Sequence, residues 1–200
     1  MRNNFFVRFM HRVTTGKAIY RILLTPVGPL FFFGFVAGLI FAAIKTDEWL
    51  GVGKIIHPPW NIWLSRPLML CGLFLMAWSA SRFFKAKGTP VPFNPPRQLV
   101  TTGPYALSRN PMMSGLFIVL FGVGIRLVSC SLIFFYLPLF ILLICIMVKM
   151  VEEPGLEERF KEEYRQYKKN TPMFFPWLKA DKEKNHDNRK IMHSSQDKSN

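Results

Sequence analysis

Between Arg21 and Lys45 lie 23 consecutive residues without a charge, ILLTPVGPLFFFGFVAGLIFAAI. At about 1.5 Å per residue, a helix of that length crosses a hydrocarbon core of roughly 30 Å. Leu127 to Val148 is a second such run of 22 residues, with Pro138 inside it. A proline is tolerated in a membrane helix and bends it. Two shorter uncharged runs, Pro67–Ser81 and Asn110–Ile125, have 15 and 16 residues. Arginine snorkelling and the flanking Trp63, Phe83 and Phe84 extend the first of them. The expected fold is therefore all-α and polytopic. Four transmembrane helices are expected at about 22–44, 64–84, 111–126 and 128–150, the last two joined as a tight hairpin. The first run is too long for a signal peptide and carries Pro26 and Pro29, so it reads as a retained span.

The charge is segregated around these runs. Of 26 Lys and Arg, 22 fall in residues 1–21, 82–109 and the tail from Lys149, against 4 in the alternate segments. The positive-inside rule then places both termini and the 82–109 loop in the cytoplasm. The formal charge of +14 thus reads as a topology signal, and no nucleic-acid partner is expected. Cys71, Cys130 and Cys145 sit in apolar runs without ligand spacing, and His11 and His57 stand alone. GxGxxG, HExxH, CxxC and GxSxG are absent, so no metal and no nucleotide loop is expected. Oligomeric state is not legible.

Two polar segments carry chemistry. In the first, a proline-rich entrance and a Thr102-Gly103-Pro104 turn lead to Arg109-Asn110-Pro111. Asn is a favoured N-cap and proline a favoured first helical residue. Such a helix start, with Arg109 beside it, attracts an anionic group or a lipid head group. In the second, Glu152 and Glu153 end the last span, although acidic groups are costly near hydrocarbon. They suit an ammonium or sulfonium cation. Leu156, Phe160, Tyr164 and Tyr167 recur at helical spacing, which predicts an amphipathic interfacial helix over about 155–169. Met173, Phe174, Phe175 and Trp177 follow as an apolar dock at the interface. The chain thus divides into a basic segment 1–21, a membrane domain 22–178 and a disordered polar tail 179–200.

Arg97–Gly115, RQLVTTGPYALSRNPMMSG, resembles the cofactor motif of the isoprenylcysteine carboxyl methyltransferase family and the related phospholipid methyltransferases. EEPGLEERFKEEYRQYKKNTPMFFP resembles their second block, and the likeness covers roughly residues 67–177. The resemblance implies an integral membrane methyltransferase that uses S-adenosylmethionine and takes a lipid-like acceptor from the bilayer. Carried over by motif, Gln98, Leu99, Val100 and Tyr105 would contact the cofactor. Asn110, Pro111, Met112 and Met113 would wrap its methionine portion, and Glu152 would hold its amino group. Arg109 would support the cofactor carboxylate or the loop, and Glu153 would act as base or substrate contact, making these two the catalytic candidates. The family commonly has His at Asn110, Tyr at Met113, Gly at Lys161 and Arg near Val148. The last departure weakens the case for a prenylcysteine carboxylate over an amino lipid. A bacterial inner membrane and an endoplasmic reticulum fit equally. A nicotinamide-dependent sterol or lipid reductase and a noncatalytic module are the alternatives.

Overall fold

The computed structural model describes residues 27–51, 58–85 and 98–174, and every element among them is helical. The basic segment 1–21, most of the proline-rich entrance and the tail from 179 lie outside the described residues. The elements are α1 (Val27–Leu50), α2 (Trp60–Lys85), a short α3 (Pro104–Leu107), α4 (Pro111–Leu127), α5 (Leu137–Met147) and α6 (Glu153–Asn170). A π-helical turn precedes α5 at Leu132–Tyr136, and a second links α5 to α6 at Val148–Glu152.

Three stretches are long and apolar enough to cross a membrane: Gly28–Leu50, Trp60–Arg82 and Leu132–Asn170. The fourth expected span, α4, is apolar but has only 17 residues. The chain is an all-α, multi-pass membrane protein. Its outer surface agrees with that: Phe31, Leu70, Phe74 and Phe134 are each at least two-thirds exposed, as suits lipid-facing positions. Trp49, Trp60 and Trp63 cluster at one end of α1 and α2, as residues of an aromatic belt do. From Trp63 to the exposed Phe84 is 21 residues, about 31 Å of helix and close to a hydrocarbon thickness.

Helix pairing in lipid relies on close packing, because tails are as apolar as the side chains they meet. α2 and α4 achieve it through glycines. A Cβ added at Gly72 would lie 2.6 Å from the Gly115 carbonyl oxygen, and one at Gly115 would lie 2.7 Å from that of Gly72. One further turn pair places Gly122 against Met69. The core beside this seam is aromatic. Phe140 is buried with ring centroids of Phe32, Phe35 and Phe117 within 6.4 Å, and Phe117 meets Phe174 at 5.3 Å. Phe174 therefore docks into the protein core, whereas the sequence suggested the membrane interface.

The far end of the bundle is tied by polar groups. Val128 takes a left-handed cap (φ 56°), and the Ser129 amide bonds back to the Gly124 carbonyl at 2.9 Å. Asp47, at the end of α1, accepts from the Ser129 hydroxyl and from the Ser131 amide at 2.9 Å, capping the next helix from outside it. Asn61 donates to the Arg126 carbonyl at 3.0 Å.

Each π turn lies just ahead of a proline, Pro138 or Pro154. A widened turn absorbs a residue that has no N–H to give, so the helix runs on through both prolines. The helical dihedrals continue through Pro154, and the break comes seven residues later. Lys161 has φ 48° and ψ −121°, which divides α6 into two arms. The single amphipathic helix expected over 155–169 is thus a folded pair of short helical arms. In a straight helix Glu157 and Lys168 would stand about 16 Å apart along the axis. Here Lys168 Nζ is 2.9 Å from Glu157 Oε1.

Candidate functional site

The two polar segments, more than forty residues apart in sequence, meet. Arg109 supplies the centre. Its guanidinium pairs with Glu153 through Nη1, donates from Nε to the Thr171 carbonyl at 3.0 Å, and lies 3.4 Å from the Tyr164 hydroxyl. Both ion-pair partners are buried, with side-chain exposures of 10% for Arg109 and 6% for Glu153. The second carboxylate oxygen of Glu153 is held by Lys168 Nζ at 2.6 Å. Both oxygens of Glu153 are thus engaged by cations in this arrangement, which makes it a poor proton acceptor.

A backbone strap closes the same joint. The Arg109 and Asn110 amides donate to the carbonyls of Pro172 and Met173 at 2.9 and 3.0 Å. Ser108 and Ser114 hydroxyls donate to the Met173 and Phe174 carbonyls at 3.0 and 2.9 Å. The Tyr167 hydroxyl donates to the Tyr105 carbonyl at 2.6 Å. Residues 171–174 therefore take the amides just ahead of α4 that a ligand anion was expected to meet. Asn110 occupies the N-cap position, but its side chain makes no cap bond. The Met112 and Met113 amides, in the first turn of α4, have no partner among the described residues.

Glu152 differs from its neighbour. It is exposed and makes no hydrogen bond or ion pair among the described residues. It nevertheless sits within electrostatic reach of Glu153, Arg109, Tyr105 and Tyr164. The widened turn at Val148–Glu152 lies at this division: the Glu153 side chain is buried in its ion pairs, and Glu152 keeps accessible surface although protein surrounds most of it. Tyr105 is buried, and that burial, with Tyr167 and Glu152 nearby, raises its phenol above the usual range.

Of the residues singled out from the sequence, Tyr105, Arg109, Asn110, Glu152 and Glu153 come together at this joint. Pro111 is buried at the start of α4, Met112 is half-buried, and Met113 packs against the aromatic core. Gln98 is exposed, and Leu99 and Val100 are half-buried, in the extended chain leading to α3. Among the described residues, none of these three is hydrogen-bonded to the joint. That loop is fixed at Gly103 (φ 68°), where a Cβ would lie 2.7 Å from Arg82 Nε. Sequence reasoning missed Ser108, Ser114, Lys168 and the carbonyls of 171–174. The signal that could have marked Lys168 was the need of a buried Glu153 for cations.

A phospholipid methyltransferase family model matches residues 60–163. That range takes in α2, the first polar block, the hairpin and the paired glutamates, slightly over half of the chain. No curated protein and no solved structure matches the chain. The match falls on the second of the two related groups to which the motifs pointed, and it ends within α6, short of Tyr164 and the strap. By the extent of that match, slightly over half of its length, the chain belongs to the phospholipid methyltransferase family.

Proposed function

We propose that this chain transfers a methyl group from S-adenosylmethionine to a lipid-like acceptor at the cytoplasmic face of its membrane. The carrying observation is the closure of two distant polar blocks on each other with one carboxylate, Glu152, left unpaired and open. Both termini are assigned to the cytoplasm, and α4 is assigned as a fourth, short span. The distribution of Lys and Arg supports this orientation, since the loop and tail that meet at Arg109 are the basic ones.

The residues present fit such a cofactor. An unpaired carboxylate suits its ammonium, and the Met112 and Met113 amides at a helix start suit its carboxylate. The half-buried Leu99, Val100, Met112 and Met113 supply apolar lining. When bound, S-adenosylmethionine supplies a methyl carbon on a positively charged sulfur, which an acceptor's lone pair takes while sulfur keeps the bonding pair. The chain's own task is positioning. Glu152 holds the cation, and the α4 start orients the opposite charge. The Arg109–Glu153 pair and the strap bind the loop to the chain's end so that the two cannot drift apart. Glu153, held by two cations, is assigned to this clamp in preference to base catalysis. An acceptor that arrives with a free lone pair needs no strong base.

The test is equilibrium binding of labelled S-adenosylmethionine to the folded, detergent-purified protein, wild type against Glu152→Gln. Saturable binding that weakens roughly tenfold or more in the variant supports the reading, as loss of a charge-assisted hydrogen bond would. Absence of saturable binding to folded wild type, with preference for a reduced nicotinamide cofactor, overturns it.

A further inference from the structure

Glu153 and Lys168 are fifteen residues apart, and a straight helix would separate them by about 22 Å along its axis. The break at Lys161 folds the second arm of α6 back and brings Lys168 Nζ to 2.6 Å from Glu153 Oε2. This is not a surface pair at both ends, because the Glu153 side chain is 6% exposed while that of Lys168 is 37% exposed. Lys168 also reaches Glu157 at 2.9 Å, so Arg109, Lys168, Glu153 and Glu157 form a cluster of two positive and two negative charges. Glu152 stands next to this balanced cluster with no direct ion-pair partner among the described residues.

Removal of Lys168 would leave a buried carboxylate oxygen without a partner. A half-paired buried carboxylate is costly, and it recruits whatever cation is at hand. The nearest are the Arg109 guanidinium, which would have to leave the Thr171 carbonyl and Tyr164, and any ammonium brought to Glu152. We infer that Lys168 is a positioning residue: by satisfying Glu153 against Arg109, it reserves Glu152 as the receptor for the cationic group of the bound ligand. This rests on the methyl-donor reading above and deepens it by adding a residue beyond the family match.

The experiment measures the dissociation constant and the number of sites for S-adenosylmethionine on full-length protein in detergent, for wild type, K168R and K168M. K168R is expected to stay within about threefold of wild type. K168M is expected to weaken binding roughly tenfold per occupied site. A merely structural role would lower the number of sites or the melting temperature and leave the dissociation constant of the folded fraction unchanged. A K168M constant within twofold of wild type therefore overturns the inference. The comparison of E153Q with E153Q/K168M covers the case in which K168M does not fold, because a neutral Glu153 replacement needs no cation on its second oxygen. Acting through Glu153, K168M should change the constant less than twofold in that background, and a full tenfold loss there also overturns the inference. A folded wild type that does not bind S-adenosylmethionine removes the methyl-donor reading and this inference together. A wild type that binds, with K168M unaffected, removes the inference alone.

Discussion

Lys161→Gly should stabilise the protein. At φ 48° and ψ −121°, Lys161 lies near the first central position of a type II′ turn, where glycine dominates. A side chain held in such a sparsely populated region costs on the order of 1–3 kcal/mol. Glycine gives back about 0.4–1 kcal/mol through the greater freedom of its unfolded chain. The net gain is about 1 kcal/mol, worth roughly 2–4 °C in Tm for a chain of this size. Thermal unfolding of the detergent-solubilised protein, followed by far-ultraviolet circular dichroism, reads the sign directly. If α6 ran straight through position 161, glycine in a helix interior would instead cost about 1 kcal/mol. A lower Tm for Lys161→Gly would therefore refute the fold-back, and with it the route by which Lys168 reaches Glu153. Lys161→Val should move the other way, since a β-branched side chain tolerates positive φ less well than lysine does.

Gly115→Ala should cost about 1–3 kcal/mol in the same melting experiment, because its methyl would stand 2.7 Å from the Gly72 carbonyl oxygen. A loss below about 0.5 kcal/mol would show that α2 and α4 are not packed at this seam. Arg109→Ala should cost about 3–5 kcal/mol by leaving Glu153 buried with one cation, and folded yield after size-exclusion chromatography checks it. Arg109→Lys should rescue little, because an ammonium cannot reproduce the separate bonds from Nε and Nη1. Asp47→Ala should cost about 1–2 kcal/mol through loss of its bonds to Ser129 and Ser131, with no change in cofactor affinity per folded molecule.

What the sequence disclosed was set by uncharged length. Runs such as Arg21–Lys45 leave a chain few options besides crossing a membrane, so the helices that contain α1, α2 and α5 were legible. Their ends were not, because helix continuation from the last span through Pro154 depends on a π turn that leaves no compositional mark. The site was half legible. Arg109, Asn110, Glu152 and Glu153 stand out because polar groups at the edge of hydrocarbon are rare. Their partners do not, since Thr171, Pro172, Met173 and Phe174 contribute carbonyl oxygens that any residue could supply. Lys161 was visible as the lysine in a glycine's place, but its consequence was not. Only the backbone shows that it adopts the conformation for which glycine is suited. The amphipathic spacing of Leu156, Phe160, Tyr164 and Tyr167 suggested one continuous face, and that face is divided by the break between Phe160 and Tyr164.

The most direct measurement supplies membranes containing this chain with S-adenosylmethionine labelled at the methyl group and follows label into lipid-extractable material. Wild type should yield a labelled amphiphile identifiable by mass spectrometry. Glu152→Gln, at equal folded abundance, should yield far less at subsaturating donor concentrations. Membranes that contain folded wild type yet produce no labelled lipid above empty membranes would contradict the account.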